Sequence, residues 1–551
     1  MSLKKSTPQL IKRLSALYVP EKAERIAEKI EKLMEGEKPS RTKRQFTEKD
    51  IVLITYADQL RTPEHPALEA LEKCIDKYCT DLINTVHILP FYPYSSDDGF
   101  SVIDYKKVDP ACGSWKNIKS IRKKFRLMFD AVINHISAES SWFKNYLDGK
   151  KKFSDFFIEK NTGFDSEKVF RPRALPLFSE FMTKQGKKEL WTTFSADQID
   201  LNFLSEKLLL EIIKVLLFYA DNGASLLRLD AIAFIWKKSG TPCVHLVETH
   251  SLIKLFKDVL KIHSPHVKLV SETNVPYKDN ISYFGNGSDE ADMIYNFSLP
   301  PLLAHAVITQ NTSKLRKWAN SLITPPGKST YFNFTASHDG IGVVPAKDFL
   351  DEDDINILCQ SAVSRGGFVS MKSLPGGKEI PYELNINYFD FLTCPDDSEN
   401  TAINKFMLSQ CVMLTMPGVP GIYFHSLFGS HNDIEGAKKS GIKRRINREK
   451  FEFSGFMSEM EKTSSHRKMV YECYKKLLEL RKTLPQLSPY SDFSFPYISN
   501  KVFAIRRKNL LALFNFSEKT AKAPVQQAVD LISGKIHDGT LAPWQSVWLE
   551  F

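Results

Sequence analysis

The sequence is poor in cysteine, with eight in 551 residues and neither a CxxC pair nor a metal-like spacing. That sparsity excludes a disulfide-built scaffold and a zinc ribbon, and it fits reduced thiols in a cytoplasmic protein. No apolar run approaches the ~18 residues needed to cross a bilayer, so no membrane partner is expected. The start Met1–Leu10 has no apolar stretch of the signal-peptide kind, so the expected location is the cytoplasm. Internal repeats and low-complexity tracts are missing. Base-reading motifs are missing too, although the net charge is +10. Half of that excess sits in residues 1–50, where 13 Lys/Arg face 8 Asp/Glu. A solvated basic helix explains it, and no nucleic-acid partner is expected. What remains is ordinary globular composition, 42% hydrophobic and 25% charged, long enough for roughly two to four domains.

From Glu21 to Leu33 a stripe of Ala23, Ile26, Ala27, Ile30 and Leu33 recurs at helical spacing, which predicts an amphipathic N-terminal appendage. Beyond Asp50 short apolar runs alternate with longer helical patterns such as Lys207–Ala220 and Leu252–Ile262. Eight runs read as buried strands: Ile51–Tyr56, Thr85–Pro90, Leu127–Asn134, Ser225–Asp230, Val267–Glu272, Met293–Phe297, Tyr331–Ser337 and Gly418–His425. Eight such strands with intervening helices predict an α/β fold, a (β/α)8 TIM barrel. The expected organisation is a helical extension over 1–49 and a barrel over 50–134, 198–343 and 405–487. Subdomains are inserted after strand three (135–197) and strand seven (344–404). A small all-β domain over 488–551 follows, with strands at Lys501–Arg506, Leu510–Asn515 and Gln545–Phe551.

In such a barrel the chemistry sits where strands end. Strand three runs through Asp130 to Asn134-His135, strand four ends Arg228-Leu229-Asp230, strand five Ser271-Glu272, and strand seven Ser337-His338-Asp339. Any one carboxylate could be a cap or an ion-pair partner. Three carboxylates, two histidines and an arginine on one face are too many uncompensated charges for a structural role alone. Carboxylates ending adjacent strands suit glycosyl transfer with retention, which needs a nucleophile and a proton donor about 5–5.5 Å apart. Arg228, two residues before Asp230, shares its face and is expected to lower its pKa. Glu272 follows an apolar run and is expected to keep its proton through partial burial.

These strand ends resemble the four signature regions of the alpha-amylase clan of glycoside hydrolases, and the resemblance runs from about Asp50 to the C-terminus. The stretches His87–Tyr105, Arg171–Pro176 (RPRALP), Trp191–Asn202, Ala336–Gly342 (ASHDGIG) and Ile446–Arg448 look like the sucrose phosphorylase subfamily. The N-terminal extension, Glu272–Gly285 and Phe332–Gly342 look most similar to glucosylglycerate phosphorylases. The resemblance implies Asp230 as nucleophile, Glu272 as general acid/base and Asp339 as transition-state stabiliser. It places Asp97, Phe100, His135, Phe194, Gln198, Arg228 and His338 around the sugar, and Tyr382 with Glu383 in an acceptor loop. Arg171, Arg173 and Arg444 match the family's phosphate candidates, Arg444 also bordering the substrate, and guanidinium forks suit phosphate oxygens. Lys237, Lys238, Arg444 and Arg445 are the cations on offer for an acidic acceptor. The implied partners are an α-glucoside and inorganic phosphate. Sucrose phosphorylase relatives do without the calcium that Asn134 serves elsewhere in the clan, so no metal and no cofactor is expected. The activity implied is a retaining α-glucosyl phosphorylase acting on 2-O-α-glucosylglycerate. Sucrose or sucrose 6′-phosphate is the runner-up substrate, and a hydrolase comes third.

Overall fold

The computed structural model describes residues 3–35, 44–173, 175–373, 379–523, 525 and 527–551. Eight short strands form its centre: β1 (Val52–Thr55), β2 (Thr85–Ile88), β3 (Arg126–Ala131), β4 (Ala224–Leu229), β5 (Lys268–Ser271), β6 (Met293–Tyr295), β7 (Thr330–Phe334) and β8 (Val419–Tyr423). Each pairs in parallel with the next, and β8 pairs with β1, so the barrel closes and leaves no edge. Residues such as Val52, Leu53, Leu127, Phe129, Leu227 and Leu269 are buried because a closed parallel barrel is covered on both faces.

The connecting helices are amphipathic and capped where the sequence allows. Glu206–Asp221 starts at Ser205, whose hydroxyl accepts from Leu208 N, and it buries Leu209, Ile212, Ile213 and Leu216. All eight expected strands are present, but several are shorter than read. β3, β4, β5 and β7 stop at Ala131, Leu229, Ser271 and Phe334. Asp230, Glu272 and His338 therefore sit just beyond the ladder, where the chain is free to bend. Ala231 does so at φ 47, directly after Asp230.

Two helices precede the barrel. α2 (Pro20–Leu33) buries Ala23, Ile26, Ala27 and Ile30, while Leu33 is only partly covered. α1 (Leu3–Ser15) lies within the expected helical extension, outside the Glu21–Leu33 stripe, and runs through Pro8. α1 packs on the barrel helix Val247–His263, with Arg13 Nε donating to Asp258 Oδ2 at 2.9 Å. α2 packs on Glu206–Asp221, where Arg25 and Lys29 both reach Glu206 at 2.6 Å.

After β3 the chain builds two antiparallel pairs, His135–Ser137 with Gln198–Asp200 and Phe178–Thr183 with Gly186–Trp191. After β7 come the helix Glu352–Ser364 and the pair Phe368–Ser373 with Glu379–Asn385. The chain ends in a five-stranded sheet that includes Val502–Arg507, Leu510–Asn515 and Ser546–Glu550. Arg507 ties it to the barrel by donating to Thr415 O at 2.9 Å.

Candidate active site

A cavity of about 680 Å³, partly continuous with solvent, opens where the barrel strands end. One arginine organises its floor. Arg228 is 1% exposed and stands opposite Asp130 in the β3/β4 ladder. Its Nη1 donates to Asp130 Oδ1 and, at 2.7 Å, to Asp230 Oδ1. Its Nη2 lies 4.0 Å from both Glu272 Oε2 and Asp339 Oδ2. His87 Nε2 meets the other oxygen of Asp130 at 2.7 Å, and the rings of Phe100 and Tyr295 flank the guanidinium.

This clustering separates the carboxyl groups chemically. Burial is the largest influence on Asp230 and raises it above its ordinary value, with Arg228 and His135 opposing. The expected lowering by Arg228 is thus outweighed by desolvation. Glu272 is pushed up to about 7 by burial, reinforced by Asp230 and Asp339 and opposed by Arg228. Its Oε2 accepts from Ala231 N at 2.9 Å, which holds it beside the nucleophile candidate. Burial pushes Asp339 up as well, but His338, Arg444, Arg228 and Arg448 together hold it well below the usual carboxylate range. One carboxyl group thus exchanges its proton near neutrality while another stays ionised, a division that suits acid–base chemistry.

Asp97, Phe100, His135, Phe194, Gln198 and His338 line the same cavity. His338 stacks on Phe100 with centroids 4.6 Å apart and planes at 2°. His135 Nε2 is 2.9 Å from Phe100 O and 3.2 Å from Gln198 Nε2, and Phe194 meets its ring edge-on at 5.3 Å. Gly99 is required here: at φ +110 an added Cβ would come 2.5 Å from Pro90 O. Arg173, Tyr382 and Arg444, from the two insertions and the loop after β8, supply more of the lining, its roof. Arg171 does not join them. It is half-buried and lines no part of this cavity, because residues two apart in an irregular loop share no common face.

Two residues that organise the site were not assigned roles from the sequence. Arg448 is fully buried; its Nε donates to His338 O at 2.7 Å and its Nη1 to Asp98 Oδ2 at 2.8 Å. Asn447 Nδ2 donates to Ser337 O and Asp339 O at 3.2 and 3.0 Å. Together they pin the loop after β7 to the loop after β2. The Ile446–Arg448 motif was visible, but nothing in its spacing reveals partners up to 351 positions earlier.

Comparison with known proteins gives this geometry a lineage. Residues 75–340 match the catalytic domain of alpha amylase. Over 98% of its length the chain is 42% identical to the glucosylglycerate phosphorylase of Allomeiothermus silvanus, 99% of which is covered. The chain belongs to the glucosylglycerate phosphorylase family. The sucrose phosphorylase of Agrobacterium vitis is more distant, at 30% identity over 73% of this chain and 82% of that one. The crystal structure of sucrose 6F-phosphate phosphorylase from Thermoanaerobacter thermosaccharolyticum shares the fold. Its TM-score is 0.73 at 24% identity, with 85% of this chain and 93% of that one covered.

The cations of this phosphorylase are mostly committed within the chain. Arg444 Nη1 donates to Asp339 Oδ1 at 2.6 Å, and its Nε and Nη2 grip Glu383 at 3.0 and 2.6 Å. Lys237 was offered as an acceptor-site cation, yet its Nζ bonds Asp200 Oδ2 at 2.6 Å, Asn134 Oδ1 at 2.9 Å and Phe234 O at 2.7 Å. Lys238 pairs with Glu248 at 2.8 Å, and Arg445 bonds Arg448 O and pairs with Asp433 at 3.3 Å. Arg173 differs: among the described residues it has no hydrogen bond or ion pair, and it lines the cavity.

Proposed function

We propose that the enzyme converts 2-O-α-glucosylglycerate and inorganic phosphate to α-glucose 1-phosphate and glycerate, retaining the anomeric configuration. Asp230 attacks the anomeric carbon as the bond to the glycerate oxygen breaks, and Glu272 gives that oxygen its proton. Phosphate then attacks the glucosyl–Asp230 ester. A proton returns to Glu272, and Asp230 leaves as carboxylate. Asp339, held ionised, stabilises the positive charge that develops on the sugar ring in both steps. Asp97, His135, His338 and Arg228 bind the glucose hydroxyls, with Phe100, Phe194 and Gln198 shaping the pocket. Arg173 holds phosphate with its planar fork, and Arg444 supports it while orienting Asp339.

The observation that carries this reading is the set around Arg228, where Asp230, Glu272 and Asp339 share one guanidinium while differing in proton affinity. The deciding experiment is a phosphate-dependent panel of glucosylglycerate, glucosylglycerol, sucrose and sucrose 6′-phosphate, scored by glucose 1-phosphate release. Glucosylglycerate should give the highest kcat/KM. Preference for sucrose would overturn the acceptor, and glucose release indifferent to phosphate would overturn phosphorolysis.

A further inference from the structure

Among the described residues, one buried lysine beside the cavity has no anion to answer it. Lys372 is 5% exposed and makes no hydrogen bond or ion pair with the described residues. Its Nζ lies over two rings instead, 4.7 Å from the centroid of Phe170 and 5.9 Å from that of Tyr382. Glu383, on the paired strand, is already gripped by Arg444. Aromatic faces recover only part of what an ammonium loses on leaving water. Burial, chiefly, and the neighbouring charge of Lys347 push Lys372 down to about 8.

Its place in the chain gives this lone charge a purpose. In the pair Phe368–Ser373 with Glu379–Asn385, Ser370 faces Glu383 and Met371 faces Pro381, so Tyr382 is the extra residue of a bulge. Bulges re-aim side chains near active sites, and Tyr382 lines the cavity. Phe170 continues the same wall: its ring is 6.1 Å from that of Phe234, another lining residue. The ammonium therefore lies beside one lining ring, Tyr382, and beside Phe170, which packs on a second, Phe234, at the end of a long flexible side chain.

We propose that Lys372 recognises the carboxylate of the acceptor and so makes this phosphorylase prefer a carboxylated acceptor to a neutral one. This rests on the phosphorolytic reading above. Phosphate attacks the anomeric carbon and must lie beside Asp230, where Arg173 already lines the cavity. The carboxylate of glycerate lies two bonds beyond the glycosidic oxygen. It needs a cation farther back in the wall, and a compact ammonium on a flexible stem supplies one.

Lys372→Met and Lys372→Arg test the assignment in the synthetic direction, with α-glucose 1-phosphate as donor and D-glycerate or glycerol as acceptor. Wild type is measured first: if it does not prefer glycerate, the acceptor reading itself falls. If it does, Lys372→Met should raise the KM for glycerate ten- to a hundredfold, leaving the KM values for glycerol and phosphate within about twofold. Lys372→Arg should restore part of the preference. Hydrolysis of α-glucosyl fluoride should be unchanged, which also shows that the variant folds. An unchanged glycerate preference in Lys372→Met would remove Lys372 from the acceptor site. A raised phosphate KM with glycerate unaffected would reassign it to phosphate and overturn the proposal.

Discussion

The floor and the roof of the cavity are built on opposite electrical plans. On the floor every charge meets another within the chain: Arg228 meets Asp130 and Asp230, and His87 meets Asp130. In the roof Arg173 meets none among the described residues, nor does Lys372 beside the Tyr382 ring, and only Arg444 is saturated. A floor whose dipoles are fixed in advance stabilises developing charge without reorganising when the sugar arrives. A roof with cations to spare takes its missing partners from the ligands themselves. The chemistry is therefore set by the floor and the choice of substrate by the roof, and substitutions should divide along that line.

The largest expected effect is on the floor. Asp230→Asn keeps the shape but removes the nucleophile, so turnover should fall by at least about a thousandfold with the melting temperature little changed. A smaller loss, measured in single turnovers, would take Asp230 out of the covalent step.

Glu272 sharpens the comparison through pH. Its carboxyl group is raised to about 7, so it is protonated below that pH and donates; glucosyl transfer from glucosylglycerate should decline as pH rises through about 7. Glu272→Gln should abolish this limb, and α-glucosyl fluoride, which needs little protonation to leave, should retain far more of its rate. The same shift has a stability consequence. A folded-state value above the unfolded one near 4.5 means that ionising Glu272 opposes folding, with no cost below about 4.5 and the full cost above about 7. Glu272→Gln should thus raise the melting temperature more at pH 8 than at pH 5, and an equal change at both would contradict the shift.

Arg444 bridges the two plans. Arg444→Ala leaves Glu383, 2% exposed, buried without its partner, a loss of about 3–5 kcal/mol in stability, and frees Asp339 on one side. Denaturant unfolding should show it, and Glu383→Gln in the same background should recover part. Arg173→Ala, by contrast, breaks nothing within the fold. It should raise the phosphate KM roughly ten- to a hundredfold, the equivalent of about 1.5–3 kcal/mol, and increase the fraction of glucosyl-enzyme lost to water. An unchanged phosphate KM would mean that the roof is not the anion site. Far from both regions, Arg25→Ala breaks an ion pair in which Arg25 is largely exposed. It should leave both the melting temperature and the kinetics nearly unchanged.

The two regions also differ in how far the sequence discloses them. The floor was legible because barrel strands are short, apolar and regularly spaced, and a polar residue that ends one must enter the same mouth. Asp130, Arg228, Asp230 and Glu272 follow from that rule alone. The roof obeys no such period. Lys237 and Lys372 are each a lysine in a long insertion or loop, and nothing in their neighbours distinguishes the one tied to Asp200 from the one left over. Arg171 and Arg173 look equivalent on paper, but only Arg173 reaches the cavity. The protonation of Asp230 departs from the sequence expectation for another reason. The attraction of Arg228 is visible as a two-residue spacing, whereas the burial that outweighs it belongs to the whole fold.

Lys237 carries a consequence of its own. Its ammonium gathers Asn134 from the end of β3, Asp200 from the segment that follows, and Phe234 from beyond β4. Asp200 in turn takes Thr193 N and Oγ1, both at 2.7 Å, so this charge joins the ladder with His135–Ser137 in holding the stretch bearing Phe194 and Gln198. A tie of this kind comes from a side chain of the polypeptide itself, so the shape of the sugar pocket should withstand dialysis and chelators.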